Sequence, residues 1–390
     1  MAKIILRKRL SPRIAGGHPW IFSNEVENID PGVKAGDIVE VFFHDGKFVG
    51  RGYVNPKSQI IIRLLTRRKG EEINDDFFIG RIRQCWEYRK KIGYTENCRL
   101  VFGEADELPQ LIIDKFNDYF VIQTLALGID KWKPVLVSAL DELFGPKGIY
   151  ERNDVPVREL EGLPLQKGFL SDPFETKIMI SENGFKFWVD LENGQKTGYF
   201  LDQQDNRRAI SHIVKDADVL GAFCYTGAFE IHAACYGARS VLAIDISDAA
   251  IQQAQRNAEL NNVEGVMKFE TANAFDVLKN WSKEGRQYDV VMLDPPAFTK
   301  SRDTIQRAIT GYKEINLRGI KLIRPGGFLV TSSCTNLVPP ELFLQVVDMA
   351  AKDARRRIRQ VTFQTQSPDH PVVRGIETTQ YLKFLVAQVL

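Results

Sequence analysis

The chain has 390 residues, 44% of them hydrophobic and 26% charged, with 29 glycines and 17 prolines, enough for two or three domains and too balanced for a disordered or fibrous protein. No window reaches the roughly 18 uninterrupted apolar residues that cross a bilayer, and residues 1–13 lack the apolar core of a signal peptide, so no membrane role and a cytoplasmic address are expected. Five cysteines, Cys85, Cys98, Cys224, Cys235 and Cys334, form no C-x-x-C pair, which argues against a disulfide framework and against structural zinc.

The formal charge of +2 hides an asymmetry: residues 1–70 carry 13 Lys and Arg against 6 Asp and Glu. A basic first domain is the electrostatic footprint expected of a polyanion-binding module. Within it, residues 36–43 alternate and meet a His44-Asp45-Gly46 turn, residues 47–50 begin a return strand, and residues 60–65 form another, so a small β-rich domain is expected over 1–70. A polar stretch at 70–76 then precedes a helical pattern from Phe77 to Lys91. Strands at 111–114 and 119–123 and a helix from Lys131 to Phe144, stopped by Gly145-Pro146, suggest an α+β domain over 71–180.

From 181 to 390 strands alternate with longer helices, the signature of a doubly wound α/β sheet. Strands are expected at 219–223, 240–246, 266–271, 289–294 and 327–333, with helices starting near Phe229, Asp248, Phe275, Asp303 and Pro340. A last strand covers 381–389.

The chemistry-bearing residues gather at the ends of those strands. The first leads into Tyr225-Thr226-Gly227, a glycine-bearing turn without the G-x-G-x-x-G spacing that seats a pyrophosphate, which disfavours a dinucleotide. The second ends in Asp245, about 20 residues on, where a carboxylate accepts from ribose hydroxyls or else caps the next helix, a task for which Ser247 is better placed. An adenosyl ligand without a diphosphate, S-adenosylmethionine, satisfies both features. The fourth strand ends in Asp294-Pro295-Pro296, a rim carboxylate followed by two residues that cannot extend the strand. That is either a strand-ending turn or a recognition element for the amino group of a nitrogenous base. Cys334 ends the fifth strand at the same edge, whereas the other four cysteines read as small core hydrophobes.

Eight motifs in order carry a family resemblance: residues 18–23 and 52–60, residues 103–109, residues 194–202 (Gly-Gln-Lys-Thr-Gly-Tyr-Phe-Leu-Asp), the Tyr225-Thr226-Gly227 loop, Asp294-Pro295-Pro296, Ser332-Ser333-Cys334, and Asp369-His370-Pro371-Val372. Over essentially its whole length the chain resembles bacterial 23S ribosomal RNA (cytosine-C5) methyltransferases. These join an N-terminal PUA domain and a central α+β domain to a class I, Rossmann-like, S-adenosylmethionine-dependent domain. The resemblance implies methylation of carbon 5 of a cytosine in 23S ribosomal RNA. It makes Cys334 the nucleophile and Asp294 its catalytic partner, with cofactor contacts from Lys196, Thr197, Tyr199, Phe223, Tyr225, Thr226, Gly227, Asp245, Ile246, Asn273, Ala274, Asp294 and Pro295. The family often forms homodimers. Two positions depart from its pattern: Asn273 stands where many members carry an acid, and Gly221 replaces a bulkier polar residue.

Carbon 5 of cytosine is a poor nucleophile, so a thiolate adding at carbon 6 is expected to activate it, with Asp294 stabilising charge that develops on the base. A free thiol is only a few per cent ionised at neutral pH. Some positive group must therefore help it, and Lys196 and Lys300 are candidates for placing charge near the cofactor or RNA. Two rivals stand beside this expectation. One is a base N-methyltransferase using Asp294-Pro295-Pro296 alone, and the other is a catalytically inactive ribosome-assembly factor. The Arg355-Arg356-Arg357 run reads as a charged helix end.

Overall fold

The structure, a computed structural model, describes residues 1–8, 11–299 and 301–390. The chain forms two units: Met1–Ile178 with Val189–Leu201 and Pro368–Thr379, and Met179–Trp188 with Asp202–Ser367 and Gln380–Leu390.

The central strands of the second unit are apolar runs buried on both faces, as parallel strands covered by helices must be. Its strands are β1 (Asp218–Ala222), β2 (Ser240–Asp245), β3 (Met267–Thr271), β4 (Tyr288–Leu293), β5 (Ile323–Ser333), β6 (Ile358–Gln364) and β7 (Lys383–Val389). They form one seven-stranded sheet in the order β3-β2-β1-β4-β5-β7-β6. Strands β1 to β5 run parallel, and β7 runs antiparallel to both β5 and β6. Besides the short helix Gln204–Ala209, the helices are α1 (Ala228–Cys235), α2 (Asp248–Leu260), α3 (Ala274–Glu284), α4 (Ile305–Lys321) and α5 (Pro340–Asp353). Leu278 and Trp281 of α3, Tyr312 and Ile315 of α4, and Phe343 and Val346 of α5 share one core with Leu220, Ile244, Val291 and Leu329 of the sheet. Helix α1 packs on β1 and β2, and α2 on β2 and β3. Strand order reverses between β1 and β4, so the crevice outside their carboxyl ends is the place where such a sheet binds ligands.

The observed elements differ from the expected ones in instructive places. Strand β1 stops at Ala222 because Phe223 takes φ of +64° and leaves extended geometry. Strand β5 starts four residues before Gly327, through a Pro325-Gly326 step that reads as a breaker. Strand β6, not anticipated, is a polar edge strand with no fully buried residue. The last strand starts at Lys383 rather than Tyr381.

In the first unit a six-stranded sheet places Trp20–Ile21, Ile62–Thr66, Phe48–Val54, Ile38–Phe42, Ala2–Leu6 and Val26–Ile29 side by side. The expected hairpin is present: Ile38–Phe42 pairs antiparallel with Phe48–Val54 across the His44-Asp45-Gly46 turn. A five-stranded sheet follows, covered by helices Asp75–Lys91 and Lys133–Phe144. Asn74 caps the first of these by accepting from the Phe77 amide at 3.0 Å, with Asp75 and Asp76 in the first turn and Arg89, Lys90 and Lys91 in the last, matching the helix dipole at both ends. The Tyr53 hydroxyl donates to the Pro109 carbonyl at 2.7 Å, and the Arg63 guanidinium meets the Glu161 carboxylate at 2.8 Å, so the two sheets of this unit pack together.

Part of the basic charge of residues 1–70 is spent internally. Arg13 pairs with Glu25 at 2.9 Å and Arg51 with Glu40 at 2.8 Å, while Arg67 donates to the carbonyls of Ile14 and His18. Lys3, Arg7, Lys8, Lys34, Lys57, Arg68 and Lys69 remain exposed.

Candidate active site

The turn after β1 holds two bulky residues in the left-handed region, Phe223 at φ +64° and Tyr225 at +49°. Each such residue costs on the order of 1 kcal/mol or more and persists only where its surroundings hold it. Here Asp245 does the holding. Its Oδ2 accepts from the Tyr225 amide and its Oδ1 from the Ser247 amide, both at 2.9 Å. The Cys224 amide also donates to the Ile244 carbonyl at 3.0 Å, and Asn257 Nδ2 donates to the Thr226 carbonyl at 3.1 Å. Gly227, at φ +79°, forms the N-cap of α1, where a Cβ would lie 2.9 Å from Ala254 Cβ.

An adenosyl group fits this edge. A carboxylate has about four acceptor sites, so Asp245 keeps capacity for two hydroxyls after binding two amides. Ser247 does the capping of α2, accepting from the Ala250 amide at 3.3 Å. Ile246 is 72% exposed, an apolar surface suited to a flat ring. Asn273 caps α3, its Oδ1 accepting from the Phe275 amide at 3.0 Å, so only part of that oxygen's capacity is left for an amine. Ala274 behind it is buried.

At the end of β4, Asp294 is held by two groups to which no such role was assigned from the sequence. Gln203 Nε2 donates to both carboxylate oxygens at 3.2 Å, and the Ser332 hydroxyl donates to Oδ1. Gln203 is oriented in turn by Asn206 Nδ2, which donates to its Oε1 at 2.6 Å. Pro295 is buried while Pro296 is exposed, so the strand ends at the rim. In the β4–β5 register Leu293 lies opposite Thr331. Cys334 follows Ser332 by two residues, roughly 7 Å of extended chain, on the same edge as Asp294. It is half-buried rather than sealed in the core.

Glu230 was also missed. It is 2% exposed, and its Oε2 has no hydrogen-bond partner among the described residues. Burial, reinforced by the negative charges of Asp294 and Asp245, pushes its carboxyl up to about 8. Its position explains the departure at Gly221: a Cβ there would overlap Glu230 Oε1, so the carboxyl occupies the space that a larger residue 221 would fill. The only sequence signal was Gly221 itself.

Three residues assigned to the cofactor by resemblance, Lys196, Thr197 and Tyr199, belong to the first unit. Thr197 is fully buried, its hydroxyl donating to Asp114 Oδ2 at 2.6 Å. Although burial opposes it, the Arg99 guanidinium, bound to both Asp114 oxygens at 2.8 Å, holds that carboxyl below the usual range. Lys196 takes φ of +53° and lies over the Phe200 ring, its Nζ 4.3 Å from the centroid. Tyr199 is buried. The Asp369-His370 motif joins the same cluster, Asp369 accepting from the Arg99 amide at 2.8 Å and pairing with His370 Nδ1 at 2.9 Å.

Lys300 lies outside the described residues. Cys85, Cys98 and Cys224 are buried, with burial pushing their thiols well up, and Cys235 is half-buried with its thiol pushed up to about 11. The arginine run lies just past α5 rather than on it. Arg356 ties the chain terminus down by donating to the carbonyls of Leu390 at 2.9 Å and Ile323 at 3.2 Å.

Residues 166–384 match the model for S-adenosylmethionine-dependent methyltransferases, and residues 4–67 that for PUA-like domains. With the doubly wound sheet, this defines a class I methyltransferase that uses S-adenosylmethionine. Across all of both chains, the fold also matches the solved structure of SMU.776, complexed with SAH, at a TM-score of 0.85 and 20% identity. A protein from Shewanella denitrificans is 41% identical over 95% of both chains, one from Shewanella frigidimarina 40% over 95% of both, and one from Alteromonas mediterranea 37% over 100% of this chain and 99% of that one. All three are named ribosomal RNA large subunit methyltransferase I, and the chain belongs to that family.

Proposed function

We propose that the protein methylates carbon 5 of a cytosine in 23S ribosomal RNA, with Cys334 as nucleophile. What supports this reading is a half-buried cysteine one residue past β5, at the edge where β4 runs into Asp294-Pro295-Pro296. The names of the relatives supply the ribosomal RNA class.

In this account Cys334 Sγ bonds to carbon 6, and the electrons of the ring double bond gather at carbon 5. Asp294, oriented by Gln203 and Ser332, faces the ring nitrogen and amino group and stabilises the charge that develops there, while the Pro295 carbonyl accepts from the amino group. S-adenosylmethionine, when bound, supplies the methyl group that carbon 5 takes. Loss of the carbon-5 proton then restores the double bond and expels Sγ. Asp245 and Ile246 bind the adenosyl portion, and the Phe223–Gly227 turn gives it backbone to rest on. The exposed cations of residues 1–70 hold the phosphodiester chain, in partly unfolded RNA where a cytosine can leave its stack.

The test is Cys334→Ala assayed with labelled S-adenosylmethionine on unmodified 23S RNA, followed by mass spectrometry of the nucleosides. The parent yields 5-methylcytosine and the variant none, with cofactor affinity kept within a few-fold. Methyl groups on a base nitrogen, or turnover in the variant, would reject the thiol mechanism.

A further inference from the structure

Lys383 opens β7 and is 1% exposed, a cation sealed inside the sheet. Burying an ammonium is expensive unless it is paired, yet none of the ion pairs among the described residues involves Lys383. Its Nζ instead donates to the carbonyls of Thr335 and Tyr381, both at 2.7 Å. The β5–β7 register sets it directly across from Ser333. The ammonium is thus held against residues 333–335, the stretch that carries Cys334, by two carbonyls that cannot neutralise it.

We propose that Lys383 is the cation that poises Cys334 for attack, a positioning residue whose buried charge is balanced by the thiolate.

This rests on the reading of Cys334 as nucleophile. Burial lowers Lys383 to about 8, and the one charged neighbour opposing that is Cys334. The other titratable groups packed around this stretch do not supply the missing charge. Tyr312 of α4, hydrogen-bonded to Thr335 Oγ1 at 2.6 Å, is pushed up to about 12 by burial and stays neutral. Asp294, just past β4, is engaged by Ser332 and Gln203, and its negative sign opposes thiolate formation. A thiolate here therefore needs a nearby cation, and Lys383 is buried where it can act as one.

The test is the pH dependence of Cys334 alkylation by iodoacetamide, read by peptide mass spectrometry in the whole protein, with Cys85, Cys98 and Cys224 as internal buried controls. In the parent, Cys334 is expected to titrate at least about one unit below an ordinary thiol near 8.5. Lys383→Met should raise that value by more than about one unit, slowing alkylation at neutral pH about tenfold, whereas Lys383→Arg should stay within about threefold of the parent. Methyl transfer by Lys383→Met should fall in parallel and recover partly as the pH is raised. A parent thiol titrating at or above the ordinary value overturns the assignment without recourse to any variant, as does an unchanged profile in Lys383→Met. Turnover by Cys334→Ala would instead reject the nucleophile itself, whatever the alkylation profile reads.

Discussion

Glu230 gives the sharpest handle on the electrostatics of the methyl-transfer edge. Its carboxyl moves from 4.5 to about 8 on folding because burial, with Asp294 and Asp245 beside it, disfavours the charged form. Between those values the folded protein keeps a proton that the unfolded chain releases, so stability is full below about pH 4.5 and declines as the pH rises to about 8. At about 1.4 kcal/mol per pH unit the whole shift is worth on the order of 5 kcal/mol, of which about 3 kcal/mol is lost between about pH 5 and about pH 8. Glu230→Gln keeps the size and polarity but cannot ionise. Urea unfolding followed by circular dichroism at a series of pH values should show a parent curve that falls relative to the variant across that window and runs parallel to it above. Curves parallel throughout would mean that Glu230 is ionised in the folded protein, and the low-dielectric account of this pocket would be wrong.

Gly221→Asn should destabilise the protein by about 1–3 kcal/mol, since its Cβ overlaps the Glu230 carboxyl. Shortening the partner in Gly221→Asn/Glu230→Ser should recover most of that in thermal melts, and additive losses would contradict the packing argument. Glu182→Ala removes the carboxylate bound at 2.7 Å to Arg207, whose side chain is only 2% exposed, and should cost about 3–5 kcal/mol by chemical denaturation. Asp294→Asn should lower the rate of methyl transfer about 100-fold or more while the melting temperature moves by only a few degrees. A variant within about threefold of the parent rate would remove Asp294 from the chemistry.

The centre of the parallel sheet was legible because strands covered on both faces must be apolar runs, and two of those runs, β2 and β4, end abruptly at an acid on the ligand edge, Asp245 and Asp294. Ser247 as a cap was legible for the same local reason. What escaped the sequence depended on tertiary packing. Phe223 and Tyr225 are aromatic, and nothing in their type announces left-handed backbone; at Tyr225 it is held by Asp245, twenty residues away. Gln203 and Ser332 meet Asp294 from 91 and 38 residues away. Gly221 was visible as a departure, but its meaning lay in Glu230, on the next helix. Strand β6 was missed because an edge strand facing solvent needs no apolar run. Lys383, at the start of a mostly apolar strand, looks from its sequence like a solvent-facing strand end, and only the folded structure, which sets it across from Ser333 at 1% exposure, shows that it is sealed inside.

The most direct trial of the thiol mechanism uses RNA transcribed with 5-fluorocytidine, in which the fluorine at carbon 5 cannot depart as a proton does, so a bond from Cys334 Sγ to carbon 6 would outlast methyl transfer. Incubation with labelled S-adenosylmethionine should yield a labelled protein–RNA complex that survives denaturing electrophoresis and maps to Cys334. Efficient methylation of ordinary RNA with no such complex on the fluorinated one, or a complex that persists in Cys334→Ala, would contradict it.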